Sequence, residues 1–215
     1  MVTLERPFRL ASDEDAQQLA ELVNFAGEGL PLHVWAGLAQ QGEDPWEIGR
    51  ARQAQKARDG EIIVVDHGGG PVAGLTGYEI GPDPSPVSRD TPALFGPLQK
   101  LENLALKSWY INVLACYPES RGKGIGSRLL RLAREIALSE GVGRLSVIVA
   151  SDNVGARRLY ERHGFQEVAR KACVKEGWAT ATDQWILLAK PVSCSGMRVR
   201  ERPAKGVGFK WGPSR

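Results

Sequence analysis

The stretch that most constrains the fold is residues 110–127, YINVLACYPESRGKGIGS. An apolar run ends at Pro118, and three glycines then alternate with larger residues up to position 126. Apolar residues continue at helical spacing, namely Ile125, Leu129, Leu132 and Ile136. This pattern predicts a strand, a glycine-rich turn and a helix. Because backbone N–H groups that open onto a helix N-terminus bind phosphate oxygens, we expect a phosphate-bearing ligand beside the end of the strand.

Two common nucleotide-binding motifs fit this turn poorly. A dinucleotide fingerprint, G-x-G-x-x-G, starting at Gly122 would need glycine where Ser127 stands. Asp152, after the next predicted strand, could still act as the ribose-binding acid, so a dinucleotide ligand stays open as an alternative. The triphosphate-binding pattern G-x-x-x-x-G-K-[ST] is absent from the chain, which excludes that class.

Hydropathy and turn signals predict alternating helices and strands along the whole chain. The predicted strands are 8–10, 61–66, 72–80, 110–117, 145–149, 165–174 and 182–189. The predicted helices begin near Ser12, Pro31, Pro45, Ile125 and Asn153. Residues 81–107 contain five prolines, and we predict a loop with a short helix that walls an acceptor site.

Composition indicates a soluble protein of one main domain. The chain has 215 residues, and its first fifteen carry acidic and basic side chains without the apolar run of a secretory signal. No apolar run reaches the roughly 18 residues that span a bilayer, so no membrane association is expected. The three widely spaced cysteines, Cys116, Cys173 and Cys194, form neither a disulfide framework nor a metal site. We therefore expect reduced thiols and a cytoplasmic location.

Charge is distributed unevenly between the body and the C-terminal end. The net charge is +3, but residues 191–215 contain six Lys or Arg against Glu201 alone, which gives +5 there and −2 for residues 1–190. We interpret 191–215 as a flexible, solvated basic tail, since it lacks aromatic interleaving. A nucleic-acid-associated function that uses this tail is the alternative.

Three motifs occur in a fixed order along the predicted elements. Residues 121–126, RGKGIG, follow a strand, Asn153 follows the next strand, and residues 160–165 read YERHGF. Together with the order of elements, these motifs resemble the GCN5-related N-acetyltransferase (GNAT) superfamily, whose patterns are R/Q-x-x-G-x-G/A after a strand and the ending Y-E-x-x-G-F. The resemblance implies an α/β (α+β) domain over residues 1–190. It also implies a mixed, mostly antiparallel sheet of about seven strands, flanked by helices, with a splay between strands 4 and 5.

The same resemblance implies acetyl-CoA as the cofactor and assigns residues to its site. The implied cofactor-binding residues are Leu114, Ala115, Cys116, Arg121, Gly122, Lys123, Gly124, Ile125, Gly126, Ser127, Asn153 and Tyr160. Tyr160 would also be the general acid that protonates the departing thiolate. The family further suggests a homodimer.

Acetyl transfer also needs a base, because an alkyl amine has a pKa near ~10.4. Some relatives carry a glutamate on the fifth strand, but the matching residue here is Ile148. Glu79, Asn112 and His33 are candidates, and Glu79 is the predicted base.

The predicted function is N-acetyl transfer from acetyl-CoA to a primary amine of a small molecule, amino acid derivative or peptide. A CoA-binding module without catalysis and a protein N-terminal or lysine acetyltransferase are the alternatives.

Overall fold

The computed structural model describes residues 2–87 and 91–193 of the chain. Within them the strands are β1 (Phe8–Leu10), β2 (Ile62–Asp66), β3 (Pro71–Ile80), β4 (Ser108–Cys116), β5 (Arg144–Ala150), β6 (Gln166–Ala172) and β7 (Gln184–Pro191). The α-helices are α1 (Ala16–Ala26), α2 (Leu30–Leu38), α3 (Pro45–Arg58), α4 (Gly96–Glu102), α5 (Ile125–Ser139) and α6 (Val154–Arg162). The element order predicted from the sequence is confirmed.

All seven strands form one open sheet in the order β1-β2-β3-β4-β5-β7-β6. β4 and β5 run parallel, and every other neighbouring pair is antiparallel. The mixed, mostly antiparallel sheet that the sequence predicted is therefore confirmed. Since α5 connects the two parallel strands, the glycine turn lies at the end of β4 where a crossover helix begins.

Successive side chains of the central strands point alternately into two apolar layers, one on each face of the sheet. Leu145, Val147 and Val149 of β5 pack in the cluster that contains α5 and Tyr160 of α6. Ile148 and its neighbour Ala150 face the opposite way, into a cluster with α4 and β7. Because β5 is buried on both faces, its continuous apolar sequence fits a central strand covered by helices on both sides.

The N-terminal helices are held by caps, ion pairs and close packing. Ser12, near which the sequence predicted a helix start, forms a capping box with Asp15, and Arg9 pairs with Asp15 at 2.6 Å and with Asp66 at 2.8 Å. Burial raises the pKa of Asp15, but hydrogen bonds from Arg9 and Ser12 outweigh burial and bring that pKa below its ordinary value. These contacts fix the start of α1 against β1 and β2.

The proline-rich connection contains the predicted short helix, α4, and is tied to it. The Asn103 amide donates to the Ser85 carbonyl at 2.8 Å, and the Ser85 N–H donates back to Asn103 Oδ1 at 3.0 Å. Leu101 of α4 is fully buried. α4 therefore packs firmly against the sheet although it has only seven residues.

The packed domain continues slightly beyond residue 190. β7 extends to Pro191, and Val192 is buried in the apolar cluster that contains α5 and Tyr160, which we call the α5 layer. The predicted basic tail, 191–215, lies outside the described residues from position 194 onward. Across 2–87 and 91–193, no helix has the length and apolarity to cross a membrane.

Candidate active site

A splay between β4 and β5 opens the sheet beside the glycine turn. The two strands pair only from Trp109 to Ile111 on β4 and from Leu145 to Val147 on β5. Beyond these positions β4 runs on to Cys116 without pairing β5. The splay predicted from the family resemblance is therefore confirmed.

A β-bulge at Asn112 coincides with the start of the splay. In the register with β3, Thr76 pairs with Val113 and Gly77 with Ile111, so Asn112 is the extra residue. The extra residue switches the faces of β4: Ile111 packs in the α5 layer, whereas Val113 packs against α1. Bulges redirect side chains next to functional sites, and this one brings Asn112 into a cleft above the splay.

The predicted cofactor residues at the end of β4 lie on both faces of the sheet. Leu114 and Cys116 contact the α5 layer, and the buried Ala115 faces α1. The Arg121 Nε donates to the Cys116 carbonyl at 3.1 Å, so the guanidinium folds back over the strand end. Burial raises the pKa of the Cys116 thiol, which keeps it neutral and poorly nucleophilic at neutral pH.

The glycines of the turn have two different physical roles. Gly122 and Gly124 adopt left-handed backbone with φ of 75° and 77°, and a Cβ at either would meet nothing within 4 Å. Gly126 instead allows close packing, since a Cβ there would lie 2.8 Å from Leu159 of α6. The turn thus exposes an open, side-chain-free surface at the N-terminus of α5, which fits phosphate groups.

The remaining residues of the turn divide between solvent and interior. Lys123 is exposed, and Ile125 is buried in the α5 layer. Ser127 Oγ lies 2.8 Å from His163 Nε2, which ties the first turn of α5 to the end of α6. Burial lowers the pKa of His163, and neighbouring cations lower it further. Of the turn residues Lys123, Ile125 and Ser127, Lys123 is the exposed one and the one that carries a charge.

Tyr160 of α6 is buried behind the splay. Its ring is 4% exposed and packs edge-on against Phe165 with ring centroids 5.4 Å apart. Burial raises the pKa of the phenol far above its ordinary value, so the hydroxyl stays protonated at neutral pH. Among the described residues, none hydrogen-bonds this hydroxyl. Tyr160 also contributes to the raised pKa of Tyr110 on β4, which shows that the two phenols share one region.

Asn153 caps α6 and also reaches the turn between α1 and α2. Its side-chain oxygen accepts from the Ala156 N–H at 3.0 Å, and its amide donates to Glu28 at 2.6 Å. Burial raises the pKa of Glu28 above its ordinary value, and the nearby charge of Asp152 raises it further. The hydrogen bond from Asn153 lowers this pKa but does not cancel the rise. The amide group of Asn153 therefore faces the side of the cleft formed by the N-terminal helices.

Among the described residues, the cleft above the splay has apolar walls and one carboxyl group. Its walls come from α1, α2, α4, β4, β5 and β7, and they include Leu30, Ile148 and Trp185. Its polar lining residues are Glu102, Tyr110 and Asn112. The cleft has a volume of about 60 Å³, which suits the end of a small ligand.

Sequence reasoning missed Glu102, the last residue of α4. The Tyr78 hydroxyl donates to Glu102 Oε2 at 3.2 Å, and the Tyr78 and Tyr110 rings lie 5.3 Å apart. Burial raises the pKa of Glu102 to about 7, while the Tyr78 hydrogen bond lowers it. The sequence carried only a weak signal, a glutamate on a short helix within the proline-rich connection.

The structure does not bring Glu79 or His33 into the cleft. Glu79 is exposed and raises the pKa of Glu140 at the end of α5, so it lies on the α5 face of the sheet. His33 lies beside Gly177 of the β6–β7 loop, where a Cβ would be 3.8 Å from the His33 ring. Asn112 is the candidate base from the sequence that does line the cleft.

The sequence model of the acetyltransferase (GNAT) family matches residues 32–165. This match covers more than half of the chain and includes the glycine turn, both splayed strands and Tyr160. The chain belongs to the GNAT acetyltransferase family. The family resemblance drawn from the three motifs is therefore confirmed.

GNAT relatives of known name are similar over short stretches. Thialysine N-epsilon-acetyltransferase of Bos taurus is 34% identical over 79 residues, which are 37% of this chain and 41% of the relative. Mycothiol acetyltransferase of Beutenbergia cavernae is 39% identical over 59 residues, which are 27% of this chain and 20% of the relative. The matched part thus spans less than half the length of these relatives.

Solved GNAT structures share the fold over most of the chain. An N-acetyltransferase of Staphylococcus aureus has a TM-score of 0.58 at 17% identity, and covers 86% of this chain and 98% of its own. Another acetyltransferase has a TM-score of 0.56 at 23% identity, and covers 86% of this chain and 99% of its own. At these identities the likeness establishes the architecture alone.

Proposed function

We propose that this GNAT protein transfers the acetyl group of acetyl-CoA to a primary amine of a small molecule, an amino acid derivative or a peptide. The observation that carries the proposal is the splay between β4 and β5, flanked by a phosphate-compatible glycine turn and by the neutral phenol of Tyr160. The narrow cleft beside the splay favours a small acceptor, or the extended end of a peptide, over a folded protein.

The turn and the strand end fit the two ends of acetyl-CoA. Backbone N–H groups from Gly122 to Ser127 would bind the pyrophosphate at the N-terminus of α5, and Arg121 and Lys123 would add positive charge. The strand end from Leu114 to Cys116 would lie along the arm that carries the thioester. Acetyl-CoA supplies the activated acetyl group, and the chain positions that group and handles protons.

Tyr160 is suited to protonate the thiolate that leaves the acetyl group. Its raised pKa keeps the phenol neutral and able to donate, and no described residue already occupies its hydroxyl. Backbone N–H groups of the splayed strand would stabilise the oxyanion that forms when the amine attacks. Asn153 would exchange its contact with Glu28 for one with the arm of acetyl-CoA.

Binding and turnover of acetyl-CoA test this function separately. Acetyl-CoA at 100 times its Kd should stabilise the fold by about 2.7 kcal/mol, measured by thermal or chemical unfolding. With an amine panel, Tyr160→Phe should lower kcat by about 10²–10⁴ and leave the acetyl-CoA Kd unchanged, because a general acid acts in the chemical step. Binding without turnover of any amine would instead indicate a non-catalytic CoA-binding module.

A further inference from the structure

The cleft chemistry restricts which amines can act as acceptors, given the proposed function. Among the described residues that line it there is no Lys, Arg or His, and Glu102 is its one carboxyl group. A carboxylate carried into this cleft would lose water and find no cationic partner among these described lining residues, which costs free energy. It would also face the charge of Glu102. A protonated amine, in contrast, meets an opposite charge there.

Glu102 is held in place by its neighbours. The Tyr78 hydroxyl donates to one carboxyl oxygen at 3.2 Å, which leaves the other oxygen for a ligand. The adjacent Leu101 is fully buried, and the next residue, Asn103, binds the proline-rich connection through the two hydrogen bonds to Ser85. Because the residues before and after Glu102 are both fixed by packing or hydrogen bonds, its carboxyl group is well placed to act as a proton acceptor.

We propose that Glu102 receives the acceptor amine and is its general base, and that the acceptor is a primary amine on a small, uncharged apolar group. The ammonium group binds the Glu102 carboxylate while the apolar group contacts walls such as Leu30 and Trp185. This inference rests on the proposed function and adds the base and the acceptor class to it.

The proton balance of the step follows from these positions. The ammonium group gives one proton to the Glu102 carboxylate, which releases it to solvent. The neutral nitrogen then forms a bond to the acetyl carbonyl carbon, and the carbon–sulfur bond breaks. The departing thiolate takes a proton from Tyr160, and the second amine proton leaves nitrogen and restores the phenol. The products are an amide, the free thiol of CoA and one proton.

Three matched acceptors test the class without any substitution. 3-Methylbutylamine, leucinamide and leucine share one side chain and differ in the group on the α-carbon, which is hydrogen, a neutral amide or a carboxylate. We expect kcat/KM to be about 10²-fold or more higher for 3-methylbutylamine than for leucine, with leucinamide between them. Equal or faster turnover of leucine would overturn the acceptor class.

Glu102→Gln tests the base, with Glu135→Gln as the matched control on the exposed face of α5. Glu102→Gln should lower kcat for 3-methylbutylamine by about 10²–10⁴ with an unchanged acetyl-CoA Kd, and Glu135→Gln should match wild type. Tyr78→Phe removes the hydrogen bond that lowers the pKa of Glu102, so the acid limb of kcat/KM should move to higher pH. Tyr78 and Tyr110 are the titratable groups that face Glu102 from the sheet.

The outcomes separate this inference from the proposed function. Amine turnover by wild type that Glu102→Gln retains in full would overturn the role of Glu102 and leave the proposed function standing. Binding of acetyl-CoA with no turnover of any of the three amines or of a wider panel would overturn both.

Discussion

Glu102→Gln should stabilise the protein above neutral pH while it lowers activity. Burial raises the pKa of Glu102 from 4.5 to about 7, so the folded state holds this proton more tightly than the unfolded chain does. The protonated carboxyl of Glu102 stabilises the folded state fully below about pH 4.5, and this stabilisation is lost as the pH rises to about 7. At 1.36 kcal/mol per pKa unit, the loss approaches about 3 kcal/mol.

Urea unfolding at pH 4 and pH 8 measures this loss directly. Glutamine keeps the size and an oxygen acceptor for Tyr78 but does not ionise, so the variant avoids the loss. We expect the free energy of unfolding of Glu102→Gln, relative to wild type, to be up to about 3 kcal/mol higher at pH 8 than at pH 4. Groups common to both proteins cancel in that difference.

The exposed control and the sign of the change decide the interpretation. Glu135→Gln removes the same charge from the surface of α5 and should show no comparable pH-dependent difference. A Glu102→Gln variant that loses stability at pH 8 relative to pH 4 would refute the claim that burial raises the pKa of this carboxyl. Loss of activity with a gain in stability is the pattern of a functional group rather than of a structural one.

Four further substitutions test the turn, the helix packing and the ion pairs. Gly124→Ala should cost about 1–2 kcal/mol of stability because φ is 77°, and calorimetry should show a weaker acetyl-CoA Kd because the methyl group enters the open turn; an unchanged Kd would contradict phosphate binding there. Gly49→Ala should destabilise the protein by about 1–3 kcal/mol, because its Cβ would lie 2.5 Å from the Trp35 indole of α2. A Cβ at Gly37 would meet nothing within 4 Å, so Gly37→Ala should instead stabilise the protein by up to about 1 kcal/mol in thermal unfolding. Asp15→Asn should flatten the loss of stability on acidification below pH 3.8, because the lowered pKa of Asp15 beside Arg9 makes its stabilisation vanish as pH falls; a wild-type acid profile in urea melts would be the contrary result.

Sequence patterns predicted the elements that depend on local chemistry. The helix starts near Ser12 and Asn153 and the glycine turn all depend on local sequence, and the structure confirms each of them. Gly126 shows the limit of that reasoning, because it serves packing against Leu159 rather than a special backbone conformation. Only the spatial neighbour, distant in sequence, distinguishes it from Gly122.

The acceptor side could not be predicted because it depends on strand faces and on distant contacts. Alternation along β3 places Glu79 on the face of Ala73 and Leu75, which pack beneath α5, and the sequence does not say which face carries the cleft. The bulge at Asn112 has no sequence signature of its own. The pKa of Glu102 is set by burial and by the hydrogen bond from Tyr78, which lies 24 residues earlier in the chain.

Steady-state acetyl transfer to 3-methylbutylamine by wild type and Tyr160→Phe tests the central claim most directly. The assay would quantify the acetylated amine by mass spectrometry and the CoA thiol by a chromogenic reagent, with the acetyl-CoA Kd of both proteins measured by calorimetry. We predict equal amounts of amide and thiol from wild type, and a kcat about 10²–10⁴ lower for Tyr160→Phe at an unchanged Kd. Thiol release without amide, or equal kcat values for the two proteins, would contradict the assignment of this site as an N-acetyltransferase centre with Tyr160 as its acid.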